Sequence, residues 1–66
     1  MKERHYVETR SPDSRHWSTS QVCRTAAMAD LVARYCAVVE WIDHEWRIRY
    51  RGRVIARWKN GKRVTR

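Results

Sequence analysis

The chain has no phenylalanine, one proline, two glycines and two cysteines in 66 residues, and no acidic residue after Glu45. Each scarcity excludes something. Cys23 and Cys36 are too few for a disulfide scaffold. In one continuous helix they would stand about 20 Å apart, and a disulfide needs Cα atoms within about 7 Å. Two free thiols in a reducing compartment are therefore expected. No C-x2-C or H-x3-H spacing is present, and His5, His16 and His44 fall in separate segments, so no metal site is expected. No apolar run approaches the ~20 residues that span a bilayer. The opening MKERHYVETR lacks the apolar stretch of a secretory signal. A cytoplasmic protein with no membrane partner is the expectation. One small domain is the ceiling at this length. Folding would bury only about 60% of the unfolded surface, which leaves little room for a deep catalytic pocket. No enzymatic activity, catalytic residue or cofactor is expected. Small size by itself suggests a phage, plasmid or other mobile-element origin.

What the sequence has is segregated charge. Residues 1–45 carry six basic and seven acidic side chains, whereas residues 46–66 carry nine basic and none acidic. The whole excess behind the net +8 lies in the last third. Segregation of this kind points to an anionic partner. Arginine outnumbers lysine twelve to three, and arginine suits bidentate contact with phosphate. A GC-rich genome would also enrich arginine.

The elements read as follows. Residues 3–9 make a candidate N-terminal strand, and 10–17, with Pro12 and Asp13, a loop. Ser18 followed by Gln21 has the form of a helix-opening capping box. Met28, Val32, Tyr35, Val39 and Ile42 then recur at helical spacing, with Leu31 beside them and Asp30 four residues before Arg34. This predicts a helix over 19–36, or on to 42, with that stripe turned to the core. A break near Ala27 would give two short helices instead. From Trp46 the period changes to two, which predicts strands at 46–50, 53–58 and 62–66. Asn60-Gly61 signals a type I′ hairpin turn. At the earlier turn a three-residue loop, Tyr50-Arg51-Gly52, with Gly52 closing a bulge, would pair Ile48 with Val54 and Trp46 with Ala56. Trp46, Ile48, Val54, Ala56 and Trp58 would then share the core face, and Arg47, Arg49, Arg53 and Arg57 the other. The expected architecture is α+β: one main helix on a three-stranded antiparallel meander, within a single domain over 18–66 that follows the 1–17 strand and loop.

The arginine face is the candidate site. Arg47, Arg49, Arg51, Arg53, Arg57, Lys59, Lys62, Arg63 and Arg66 form a positive surface with no acid among them. With Arg49 opposite Arg53, like charges would repel across the sheet. Neutralisation by nucleic-acid phosphates would relieve that, and a small DNA- or RNA-binding protein is the leading reading. Two alternatives stand beside it: a module or inhibitor docking this face on an acidic protein, and a solvated edge that blocks aggregation. No row of aromatics is expected on the arginine side.

The stretch WRIRYRGRVIARWKNGKRV, 19 of the 66 residues, resembles the central strands of RelE-like mRNA interferase toxins. Arg47, Ile48, Arg49, Arg53, Val54 and Ile55 carry the likeness. The resemblance implies that Arg53 and its neighbours would bind mRNA in the ribosome and promote cleavage through the 2′-hydroxyl.

Between helix and sheet, Asp43, His44 and Glu45 form either an acid/base cluster or a solvated turn. This acidic stretch against the basic 46–66 of another copy would make a homodimer. Trp41 is exposed if the helix persists and core if a strand starts near Val38; core is the expectation.

Overall fold

The computed structural model describes residues 3–64. In chain order the elements are β1 His5–Arg10, β2 Ser18–Cys23, α1 Ala26–Tyr35, a π-helical turn Cys36–Glu40, β3 Glu45–Tyr50, β4 Arg53–Lys59 and β5 Lys62–Arg63. The class is α+β, as the patterning predicts, but the sheet is five-stranded and antiparallel, ordered β2-β1-β3-β4-β5. The expected meander β3-β4-β5 is thus three of its five strands. β1 lies at the centre of the sheet, between β2 and β3. Of the strand predicted over 62–66, residues 65 and 66 lie outside the described residues.

The added strand, β2, is a correction at Ser18–Cys23, where the capping pattern predicts the first turns of a helix. Ser, Thr, Val and Cys are weak helix formers, and this segment hydrogen-bonds along β1, pairing Thr9 with Ser18 and His5 with Cys23. The helix opens instead at Thr25, whose Oγ1 accepts the Met28 N–H at 3.1 Å. At its other end the ladder slips to i→i+5: the Trp41 N–H donates to the Cys36 carbonyl at 2.7 Å. The helical stretch therefore covers 26–40, against the predicted 19–36 or 19–42. The Asp30–Arg34 pair expected on it is not formed.

The helix also lies the other way round. Ala29, Ala33 and Ala37 face the sheet at 0–1% exposure, with Val32 and Cys36 beside them. Of the predicted core stripe Val32 alone packs on the core: Met28, Tyr35, Val39 and Ile42 are exposed, and so are Leu31 and Trp41. The cause is volume. The sheet presents Trp46, Trp58, Ile48 and Val7 to the helix, all nearly inaccessible. Side chains that large fill the layer by themselves. The helix approaches on its smallest side, where four-residue spacing aligns three alanines. Trp41, expected in the core, caps the helical segment at the surface, where its carbonyl accepts the Trp46 Nε1–H at 3.2 Å.

The β3–β4 register corrects a second expectation. The turn is a two-residue type I′ loop, with Arg51 at φ 52° and Gly52 at φ 78°, and Tyr50 pairs with Arg53. The extra residue sits inside β4 at Ile55, where a bulge separates the pair Arg49–Val54 from Ile48–Ala56. Beyond it the faces fall as predicted: Trp46 meets Trp58 and Arg47 meets Arg57. Before it they are exchanged, so Val54 joins Arg49 instead of the core and Arg53 no longer opposes Arg49. The second turn, Asn60-Gly61, is the predicted type I′, with φ of 54° and 77°. A Cβ at Gly61 would lie 3.1 Å from Ile42 Cγ2, so this hairpin packs against the end of the helical segment.

Two substitutions test the packing. Ala33→Leu overfills the helix–sheet layer and is expected to lower unfolding free energy by about 1–3 kcal/mol in urea denaturation. Val54→Asp, on an exposed position beside Arg49, is expected to change it by less than about 1 kcal/mol. A core Val54 would instead make that variant unfold.

Candidate nucleic-acid interface

The sheet face away from the helix is uncovered, and strand alternation decides what stands on it. In β1 the residues of that face are Tyr6, Glu8 and Arg10; in β3, Glu45, Arg47 and Arg49. β4 adds Val54, Arg57 and Lys59, and β5 adds Lys62 opposite Lys59.

At the centre Glu8 clasps two arginines. Arg47 Nε donates to Oε1 at 2.7 Å and Arg49 Nε to Oε2 at 3.0 Å. Glu8 is 5% exposed although it lies on the open face, because the two arginine side chains cover it. Both guanidiniums are held through Nε. Their terminal Nη groups have no hydrogen-bond acceptor among the described residues, so each arginine presents an immobilised, unsatisfied fork. Aromatic rings steady them further. Arg47 lies 4.0 Å and Arg10 4.7 Å from the Trp17 ring centroid, and Arg49 5.1 Å from that of Tyr6. Such cation–π contacts contribute roughly 0.5–1 kcal/mol each at exposed sites. Along the rim Arg10 pairs with Glu45 through both Nε and Nη2. That bond holds the Glu45 carboxyl below its ordinary value against the opposing effect of burial, and the charges of Arg10, Lys59 and Arg57 add to it.

This arrangement corrects the picture of an uncompensated face. Acids from the first 45 residues reach it: Glu8 at its centre, Glu45 at one rim, and Glu3 at the turn, where it accepts from the Tyr50 hydroxyl and pairs with Arg51 at 3.8 Å. Six cations (Arg10, Arg47, Arg49, Arg57, Lys59, Lys62) still stand over two carboxylates (Glu8, Glu45), leaving four positive charges in surplus. Arg57, Lys59 and Lys62 are exposed and make no ion pair among the described residues.

Of the nine predicted site residues, Arg47, Arg49, Arg57, Lys59 and Lys62 come together on this face. Arg51 and Arg53 stand at the β3–β4 turn. Arg63 lies over the Trp58 ring at 5.6 Å, toward the helix side. Arg66 lies outside the described residues. Sequence reasoning missed Tyr6, Glu8, Arg10 and Trp17. The alternation Tyr6, Glu8, Arg10 in β1 is the signal that would have found three of them. Trp17, in the loop before β2, leaves no such trace, and it places on the arginine side an aromatic that the patterning did not expect.

Among the described residues the remaining polar groups assemble no nucleophile. His44 Nδ1 bonds only Asp43, at 2.9 Å, and that bond holds the exposed Asp43 carboxyl below its ordinary value. His44 also lines a shallow groove of about 250 Å³ with Thr9, Ser20, Trp41 and Trp46. Both cysteines are free thiols. Burial pushes their pKa values up, with Glu40 adding to the effect at Cys36, so neither is a ready thiolate. Comparison with protein-family models, curated proteins and solved structures gives no match. Among the described residues no helix is long and apolar enough to cross a membrane.

Glu8→Gln replaces an acceptor-only group by one that opposes an N–H donor to one of the two arginines. A loss of about 2 kcal/mol in urea denaturation is expected. Glu45 predicts a pH effect. A carboxyl whose pKa folding lowers adds stability above its unfolded value, and that stability is lost as the pH falls through the lowered one. Glu45→Gln should therefore flatten the acid limb of the stability–pH curve and leave the alkaline limb unchanged.

Proposed function

We propose that the protein binds nucleic acid through the open face of its sheet. The observation that carries this reading is the Glu8 clasp with its surroundings: two arginine forks immobilised side by side, flanked by three unpaired cations on the same surface. Fixing a long side chain before binding removes part of the ordering cost that association otherwise incurs. An arginine held through Nε keeps the terminal donors that grip phosphate or the guanine edge. Arg57, Lys59 and Lys62 would supply phosphate contacts and, with them, the counterion release that dominates affinity. β3 is paired along its whole length with β1 on one side and runs beside β4 on the other, so the charged residues stand on a continuous sheet surface. A nucleic-acid backbone laid across that surface is the ligand this reading specifies.

The test is fluorescence anisotropy with a random DNA duplex over a salt series, with an RNA duplex and a single strand in parallel. Arg57→Gln with Lys59→Gln should weaken duplex DNA binding at least tenfold at ~100 mM salt. It should also reduce the slope of log K against log salt by roughly 0.9 for each contact removed. Absence of binding to any of the three at ~50 mM salt would overturn the proposal.

A further inference from the structure

Seven large apolar side chains on residues 28–42 are exposed: Met28, Leu31, Tyr35, Val38, Val39, Trp41 and Ile42, at 43–59% of their full accessibility. We infer that this surface is the interface of a homodimer, in which α1 and the following turn of one copy pack against those of a second.

Three observations select a second copy as the occupant. The first is area. Roughly half of seven side chains with up to ~200 Å² each comes to about 700 Å². That is close to the ~800 Å² per partner of a standard protein interface, and above the few hundred Å² of apolar patch that a soluble monomer ordinarily exposes. The second is charge. The chain carries a net +8, so two copies repel wherever their basic surfaces meet. Residues 26–42 contain only Asp30, Arg34 and Glu40, which makes this the region where two copies approach without repulsion. Joined here, they turn their arginine faces away from one another. The third is spacing. Met28, Leu31 and Tyr35 follow one another along α1 at intervals of three and four. A helix seam with this spacing meets an identical seam. A contact between two equal patches closes on itself as a twofold pair and leaves no patch unsatisfied.

The test is sedimentation equilibrium of the full chain from ~1 to ~200 μM, nuclease-treated and in ~0.5 M salt so that no nucleic acid bridges copies. The wild type should show twice the chain mass at the upper end. Leu31→Glu with Tyr35→Glu should remain at one chain mass throughout, with its circular dichroism unchanged. A second measurement does not depend on that variant folding. In a dilution series of the wild-type chain followed by NMR, the amide shifts that move should lie within 26–42. A wild-type protein that stays monomeric over the whole range overturns the inference. So does a dimer that survives the double substitution, or dilution shifts confined to the sheet.

Discussion

The contact on which the rest of this structure depends is the bed of three alanines laid on two tryptophans. Trp46 and Trp58 face each other across β3 and β4 and occupy most of the space between the layers. A helix reaches such a surface only with a small-residue side. Ala29, Ala33 and Ala37 provide one, and once they are seated the larger apolar side chains between 28 and 42, other than Val32 at their side, are turned away. The same contact closes one face of the sheet and leaves the other bare. One packing decision in a thin core thus sets out two surfaces, an apolar one on the helix and a charged one on the sheet.

The charged surface is organised by a single carboxylate. Like charges at close range on a sheet destabilise it, and Arg47 and Arg49 stand in one strand beside Arg57 and Lys59 in the next. Glu8 relieves the centre of that repulsion by accepting from both arginines, and in doing so it fixes them. Trp17 and Tyr6 limit the guanidiniums to narrow positions. Three of the four surplus charges lie on exposed residues at the β4–β5 side, where solvent and counterions screen them, and the fourth stays at the centre, where one carboxylate meets two guanidiniums. Stability and a site suited to an anion come from the same arrangement, since the paired centre holds still and the unpaired rim attracts.

Much of the β3–β5 region was legible in the sequence, because its signals are local. Asn60-Gly61 is a type I′ turn wherever it joins two strands, and the alternation from Trp46 to Tyr50 assigns faces to β3 directly. The β3–β4 connection was read less well. The choice lay between placing the extra residue in the turn and placing it in the strand, and both bring Trp46, Ile48, Ala56 and Trp58 to one face. They differ in every cross-strand pair, but in the faces they assign only at Arg53 and Val54. The helix orientation misled for a different reason. Hydrophobic periodicity assumes that the largest apolar stripe is the buried one. Here the partner surface already holds the volume, so the alanine stripe, four residues in step, is the one that fits. Ser18 and Gln21 match a capping box as well as any true helix start. The segment is a strand because β1 offers it a hydrogen-bonding edge.

The sequence by itself determined the α+β class, the places of both turns and the type I′ form of the second, the strands around them and the concentration of positive charge in the last third of the chain. Those are properties of neighbours a few residues apart, and turn chemistry and side-chain alternation act at that range. Only the tertiary structure decided that Ser18–Cys23 joins the sheet, that β1 runs through its centre, that the helix presents alanine, and that Glu8 meets Arg47 and Arg49 across 39 and 41 residues of chain. These depend on which distant surfaces fill one another's volume and which distant charges share a strand pair. No local pattern records that choice.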